Sequence, residues 1–500
     1  MTTSSKLTQD LMTESGVQFG TSGARGLVTA MTDLVCYSYT QAFLQHLEDI
    51  GDIASSSNIE VAIAGDLRPS SPRIMAAVAK AVEDKGYRPL ICGFIPSPAV
   101  VHYGLARKIP SVMVTGSHIP DDRNGIKFHK TTGEILKSDE KGLKAQTVTW
   151  DPTFFDKEGL FTQSMSLETY SKTTQAEELY HQRYIQAFGE DFLKGITVGV
   201  YQHSAVGRDL LPRICASMGA EVIPLGRAEQ FIPVDTEAIR PEDVSLAKQW
   251  AEEYDLDVLF STDGDSDRPL IADEEGTWFR GDVLGVLVSR FLQAQGVSTP
   301  VSSNSVLEKT QAFPHIYRTR IGSPYVIEGM MEAEQKGLAS VVGYEANGGY
   351  LTQTSVQTPN GMLSPLPTRD TMIVLLGLLG EAKKQEYPLS ELIDTIPPRY
   401  TASGRLQEFP TEKSQRIVQE FVENTSLAET ALNPIHNQEN VNLSEKNTVD
   451  GLRLSFSSEE IIHLRPSGNA PEFRCYVEAN SSERAETLLN LCLKVMEGWK

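Results

Sequence analysis

Residues 257–272 read Asp-Val-Leu-Phe-Ser-Thr-Asp-Gly-Asp-Ser-Asp-Arg-Pro-Leu-Ile-Ala. The run Asp257 to Phe260 predicts a strand and Pro269 to Ala272 a second one, with an acidic loop between them. A helix precedes them, with Val244, Ala247, Trp250, Ala251 and Tyr254 in register. The same scheme recurs on both sides. Upstream, Ile196 to Val200 reads as a strand, followed by a helix face of Leu210, Leu211, Ile214, Cys215 and Met218. Further upstream, Val61 to Ala64 is a strand, Ile74, Ala77, Val78, Ala81 and Val82 mark a helix ended by Gly86, and Leu90 to Cys92 and Ser111 to Val114 are strands. Downstream, helices are expected over 282–295 and 324–335, and the strand Ala339 to Val342 enters a glycine-rich loop. The chain from Lys130 to Gln175 reads as a long hairpin or connecting segment.

The last hundred residues differ. Phe473, Cys475, Val477 and Ala479 alternate with Arg474, Tyr476 and Glu478, the pattern of a half-buried antiparallel strand. A final helix from Ser482 places Ala485, Leu488, Leu489, Cys492, Val495 and Met496 on one face. The expected fold is therefore α/β: three consecutive α/β domains and a C-terminal α+β domain, divided as 1–175, 176–277, 278–396 and 397–500. The length agrees, since 500 residues at roughly 150 per domain make three to four domains.

Lysine and arginine number 45 against 66 aspartates and glutamates, a formal charge of −21. This argues against nucleic acid or an anionic membrane as partner and requires a local positive pocket for any anionic ligand. The five cysteines (Cys36, Cys92, Cys215, Cys475, Cys492) are scattered without metal-ligand spacing and read as core residues of a reducing compartment. The N-terminus lacks a secretory pattern and the longest apolar run, Met372 to Leu379, is short, so a cytoplasmic protein is expected.

Open α/β sheets bind ligands outside the carboxyl ends of their strands, and four loops stand out. Val114-Thr115-Gly116-Ser117-His118-Ile119-Pro120 continues to Lys127 and offers a nucleophile with an acid or base nearby, or a capped polar turn. In Asp263-Gly264-Asp265-Ser266-Asp267-Arg268 three carboxylates at alternate positions repel unless a cation sits among them, and oxygen ligands select Mg²⁺ or Ca²⁺. An EF-hand would need glycine where Arg268 stands and helices where the flanks read as strands. Glu345-Ala346-Asn347-Gly348 can bind vicinal hydroxyls or form a plain Asn-Gly turn. Arg465-Pro466-Ser467-Gly468-Asn469 can cradle a phosphate or cap a turn.

In order and spacing these loops resemble the α-D-phosphohexomutase superfamily over nearly the whole chain. Phe19-Gly20-Thr21-Ser22-Gly23-Ala24-Arg25-Gly26 resembles its opening signature. The serine loop is similar to Thr-Ala-Ser-His-Asn-Pro, with Gly116 and Ile119 departing, and Asp-Gly-Asp-x-Asp-Arg matches without departure. The last loop is similar to Arg-x-Ser-Gly-Thr-Glu-Pro, with Asn469 and Ala470 departing. Arg320-Ile321-Gly322-Ser323 resembles a substrate-contact turn.

The resemblance implies three mixed-sheet α/β domains and a domain similar to the TATA-binding-protein fold around a central cleft. It implies reversible transfer of phosphate between the 1- and 6-positions of a hexose, through phosphorylated Ser117 and a hexose 1,6-bisphosphate that also serves as activator. Asp263, Asp265, Asp267 and Ser117 would hold one Mg²⁺. Lys127 and Arg25 would handle the sugar hydroxyl proton, Arg268 would orient the phosphoserine and His118 would assist. Glu345, Asn347, Gly322, Ser323, Arg465, Ser467, Gly468 and Asn469 would bind substrate. The length and the Gly-Ser-His-Ile-Pro form point to mannose phosphate, with glucose phosphates as further substrates. The alternatives are a glucose, glucosamine or acetylglucosamine phosphate mutase, a sugar-phosphate phosphatase, and a non-enzymatic sensor. The expected partner is a phosphorylated hexose, and the expected state a monomer or weak homo-oligomer.

Overall fold

The computed structural model describes residues 3–20, 23–55, 58–435, 441–467 and 471–500. It has four domains, each built on its own principal sheet. In the first, Glu60–Gly65 pairs in parallel with Arg88–Phe94 and Ser111–Val114, and Ser111–Val114 then pairs antiparallel with Arg123–Lys130. The helix Ser71–Asp84 buries Ile74, Ala77, Val78, Ala81 and Val82, as its periodicity requires.

The second domain places Glu221–Arg227, Thr197–His203 and Val258–Thr262 in parallel and closes with antiparallel Pro269–Ala272. The third repeats the plan with His315–Thr319, Gly296–Pro300, Val341–Tyr344 and antiparallel Tyr350–Thr352. In all three domains the loop between the last parallel strand and its antiparallel neighbour is one of the loops singled out in the sequence. The acidic loop is thus a hairpin tip, which excludes the EF-hand.

The fourth domain is a five-stranded antiparallel sheet in the order Tyr400–Gln407, Glu472–Ala479, Ile461–Pro466, Leu452–Phe456, Leu443–Asn447. Phe473, Cys475 and Val477 pack with Leu488, Cys492 and Met496 of the helix Ser482–Glu497. A continuous apolar core joins the first three domains, running from Ala62 through Phe260 to Leu376. The helix Thr371–Gln385 meets Gly281–Phe291 there. All five cysteines are free and buried.

Two expectations change, and one element has no counterpart in the sequence reading. Before Val61, the helix Asp33–Asp49 buries Ser38, Thr40 and Gln41 along with Cys36 and Phe43, so it lacks the polar face that periodicity detects. The segment 130–175 is not a plain connector: it holds the helix Lys137–Lys144 and the strand Thr147–Trp150, which pairs with Ser4–Leu7. In the helix Pro241–Glu253, Val244 is 41% exposed and Asp243 is buried instead, because Arg240 neutralises it at 2.6 Å and Tyr201 donates to it. Among the described residues no helix is long and apolar enough to cross a membrane.

Candidate active site

Ser117 is fully buried and its backbone is left-handed, with φ +56°. Its amide donates to Thr115 Oγ1 at 2.8 Å, and its hydroxyl donates to Asp263 Oδ2 at 2.5 Å. Asp263 is held in turn, its Oδ1 accepting the backbone N–H groups of Asp267 and Arg268 at 3.2 Å each. The serine and acidic loops approach so closely that a Cβ on Gly264 would lie 2.7 Å from the Ser117 carbonyl oxygen. Only glycine fits there.

Asp263, Asp265 and Asp267 are all buried and bring one carboxylate oxygen each within 4.8 Å of the others. Three such charges require cations, and the fold supplies them. Lys127 Nζ lies 2.6 Å from both Asp265 Oδ2 and Asp267 Oδ2, and Arg369 reaches Asp267 at 2.9 Å. Ser97 Oγ also donates to Asp265 Oδ2 at 2.5 Å. The remaining oxygens, Asp265 Oδ1 and Asp267 Oδ1, are buried without a hydrogen-bond partner. Such orphaned oxygens beside a third carboxylate suit a hard divalent ion.

The protonation behaviour follows from this packing. Burial, with repulsion from Asp265 and Asp267, pushes Asp263 well above the usual carboxylate range. Asp265 is also penalised by burial, but the charge and hydrogen bond of Lys127, with help from Ser97, hold it below that range. His118 is held neutral: burial, then the Arg268 guanidinium, depress it to about 3. Arg268 NH1 lies 3.1 Å from His118 Nδ1, so that nitrogen is the acceptor. Burial, followed by repulsion from Arg268 and Arg369, lowers Arg25 to about 10, and one of its terminal nitrogens has no partner.

In the third domain Glu345 is 5% exposed and lies 3.5 Å from Arg369. Asn347 spends its side-chain oxygen on the Gly349 amide at 2.9 Å, and its carbonyl accepts from Thr236 Oγ1 of the second domain. Gly322 precedes the helix Ser323–Gln335 with φ +130°. Ser323 does not present its hydroxyl to the cleft: it is buried and donates to Glu134 Oε2 of the first domain at 3.0 Å. Arg465 lies 3.0 Å from Asp450, and the Ser467 amide donates to the Glu472 carbonyl at 3.0 Å. Gly468 and Asn469 lie outside the described residues.

A cavity of about 520 Å³ opens among the domains, lined by His118, Arg280, Ala346, Arg453, His463 and Arg474 among others. The sequence reading missed Arg280, Arg369, Arg453 and Arg474. For Arg474 the signal was present: it sits on the outward phase of the alternating strand, and that face turns out to look into the cavity.

Family models for phosphoglucomutase/phosphomannomutase match the chain in four pieces: α/β/α domain I over 16–153, domain II over 182–276, domain III over 280–400 and the C-terminal domain over 418–492. The chain belongs to the phosphoglucomutase/phosphomannomutase family. Among similar members, a phosphomannomutase of Salmonella muenchen is 41% identical over 488 residues, covering 97% of each chain. One of Sinorhizobium fredii is 40% identical over 482 residues, covering 96% of this chain and 99% of its own. In fold, this family member resembles a putative phosphomannomutase of Thermus thermophilus, with a TM-score of 0.72 at 19% identity over 96% of this chain and 99% of that one. It also resembles an Aspergillus fumigatus N-acetylphosphoglucosamine mutase solved with GlcNAc-6P and magnesium, with a TM-score of 0.60 at 13% identity over 99% of this chain and all of that one.

Proposed function

We propose that the protein is a phosphomannomutase, moving phosphate reversibly between the 1- and 6-positions of mannose phosphate, with glucose phosphates as further substrates. The observation that carries this is Ser117 Oγ hydrogen-bonded at 2.5 Å to Asp263, inside a buried triplet with two orphaned carboxylate oxygens. The phosphomannomutases about two-fifths identical to it along nearly their full length support the choice of mannose.

In this reading Ser117 carries the phosphoryl group. The sugar hydroxyl attacks phosphorus, the P–Oγ bond breaks, and a hexose 1,6-bisphosphate results; reorientation and the reverse transfer return the other phosphate to Ser117. Lys127, with Arg25 on the neighbouring strand, handles the hydroxyl proton. Arg268 faces the phosphoserine, and neutral His118 accepts its N–H so that the guanidinium keeps its direction. Asp263, Asp265 and Asp267, with a phosphoserine oxygen, would hold one Mg²⁺, which when bound neutralises charge on the transferring phosphoryl group.

Glu345 and Asn347 are assigned to the sugar hydroxyls, and Arg465, Ser467, Gly468 and Asn469 to the distal phosphate. Gly322 and Ser323 shape the turn before the third domain's helix. The division into 1–175, 176–277, 278–396 and 397–500 belongs to the same reading, as do a cytoplasmic location, a monomer or weak homo-oligomer and a bisphosphate activator. The test is turnover of mannose, glucose and glucosamine 1-phosphates at one activator concentration. Mannose phosphate should be converted fastest, with no net inorganic phosphate. Stoichiometric phosphate release would identify a phosphatase and overturn the mutase reading.

A further inference from the structure

Arg68 lies outside every motif described above, yet it is among the largest fully buried side chains of the protein. A guanidinium has five N–H donors, and in Arg68 each of them finds an acceptor. Nε donates to Asp66 Oδ2 at 3.0 Å, NH1 to the carbonyls of Pro120 and Arg123 at 2.7 and 3.0 Å, and NH2 to those of Ser117 and Ile119 at 2.8 and 2.6 Å. Four of the five acceptors are therefore backbone oxygens, three in the loop that carries Ser117 and one on Arg123 at the start of the strand that follows it.

The other end of the serine is tied to the same ion pair. The Ser117 amide donates to Thr115 Oγ1, and that hydroxyl donates to Asp66 Oδ2 at 2.7 Å. Ser117 is thus held through its N–H and its C=O, which accounts for a left-handed conformation that a serine adopts only when its surroundings impose it. Two further contacts close the arrangement. A Cβ on Gly116 would lie 2.6 Å from Arg68 Cζ, so the departure from alanine at this position leaves room for the guanidinium. From the second domain, the Phe231 ring covers the same group, with its centroid 4.2 Å from Cζ. Phe231 also lies 3.2 Å from where a Cβ on Gly264 of the acidic loop would be.

We infer that Arg68 is the positioning residue of Ser117, and that Phe231 makes its placement depend on the seating of the second domain. The inference rests on the mutase reading above. The step it governs is loading of the enzyme: the P–O bond to the sugar of a hexose 1,6-bisphosphate breaks, a P–O bond to Ser117 Oγ forms, and the serine proton ends on the sugar oxygen to give the hexose monophosphate.

The test measures that step by intact mass after mixing each dephosphorylated variant with glucose 1,6-bisphosphate, together with kcat, KM and melting temperature. Gly116→Ala removes no polar group and only displaces the guanidinium. It should slow loading and kcat by roughly 100-fold, the scale of an ångström-sized misplacement, with KM unchanged, at a temperature where the variant is still fully folded. Phe231→Leu should shift the same quantities in the same direction by less. Arg68→Lys cannot reproduce a planar fork and should not restore loading. If Arg68→Lys fails to fold, Gly116→Ala and Phe231→Leu carry the test. Wild-type loading in Gly116→Ala, or losses that only follow melting temperature, would overturn the role of Arg68. Undiminished mutase activity in Ser117→Ala would instead overturn the mutase reading on which it rests.

Discussion

Ser117 Oγ and Asp263 Oδ2 stand 2.5 Å apart across the join of two domains, although 146 positions separate them in the chain. A contact of this length between a hydroxyl and a carboxylate requires both loops to be held by their own domains, as the Thr115 and Arg268 backbone contacts show. Replacing Ser117 with alanine leaves those supports intact. The variant should lose mutase turnover by roughly 1,000-fold or more, as removal of a nucleophile does. Its melting temperature and circular dichroism should stay those of the parent.

Lys127 occupies one oxygen of Asp265 and one of Asp267 and leaves the other of each without a hydrogen-bond partner. Added Mg²⁺ should therefore stabilise the folded state as its ligand, by about 2.7 kcal/mol at a hundredfold excess over its dissociation constant, and raise the melting temperature. Chelation should abolish turnover and Mg²⁺ should restore it. In Asp265→Asn the stabilisation by Mg²⁺ should vanish, which thermal melts with and without the ion would show.

Arg369 joins Asp267 at 2.9 Å and Glu345 at 3.5 Å, and all three side chains are buried. Arg369→Met leaves buried Glu345 without its ion-pair partner and Asp267 dependent on Lys127, and should cost about 3–5 kcal/mol in chemical denaturation. Adding Glu345→Gln should recover part of that loss. Strict additivity of the two substitutions in a double-mutant cycle would show that the pair does not interact.

His129 lies within the first sheet, where burial above all, with Lys127 opposing protonation further, depresses it to about 4 despite the attraction of Glu134. An unfolded histidine titrates near about 6.5. Between these values the unfolded chain binds a proton that the fold excludes, so stability rises with pH across the window and is lost as pH falls through it. Buried His203, likewise depressed to about 4 chiefly by burial, acts in the same direction. His129→Gln should therefore lose less melting temperature than the parent between pH 7.5 and pH 5, as parallel thermal scans would measure.

Much of this organisation is legible in the amino-acid sequence. The acidic loop reveals itself because all three carboxylates sit on one hairpin tip, within six consecutive residues flanked by apolar runs. The repeated strand and helix periods mark the three α/β domains for the same local reason. What is hidden comes from elsewhere in the chain. Ser97, Arg369 and Arg68 reach the serine and acidic loops from segments with no motif of their own. Ser323 stands where the family resemblance implied a substrate contact, but at the first residue of its helix its hydroxyl meets Glu134 instead. Arg474 reads as solvent-facing because alternation separates two faces without saying what the outer one meets.

The clamp of Lys127 on Asp265 spans 138 positions, and this has a consequence for the protein while it is being made. At about 5–20 residues per second, the ribosome delivers the aspartates roughly 7–28 s after the lysine. During that interval the first domain can complete its sheet and set Ser117 in place, while the lysine ammonium still faces water. A chain interrupted before Asp263 therefore carries the serine without its acidic partners. If Ser117 and the three aspartates carry the transfer as proposed, its acquisition is timed by translation of the second domain, and a truncated product cannot draw phosphate from the sugar pool.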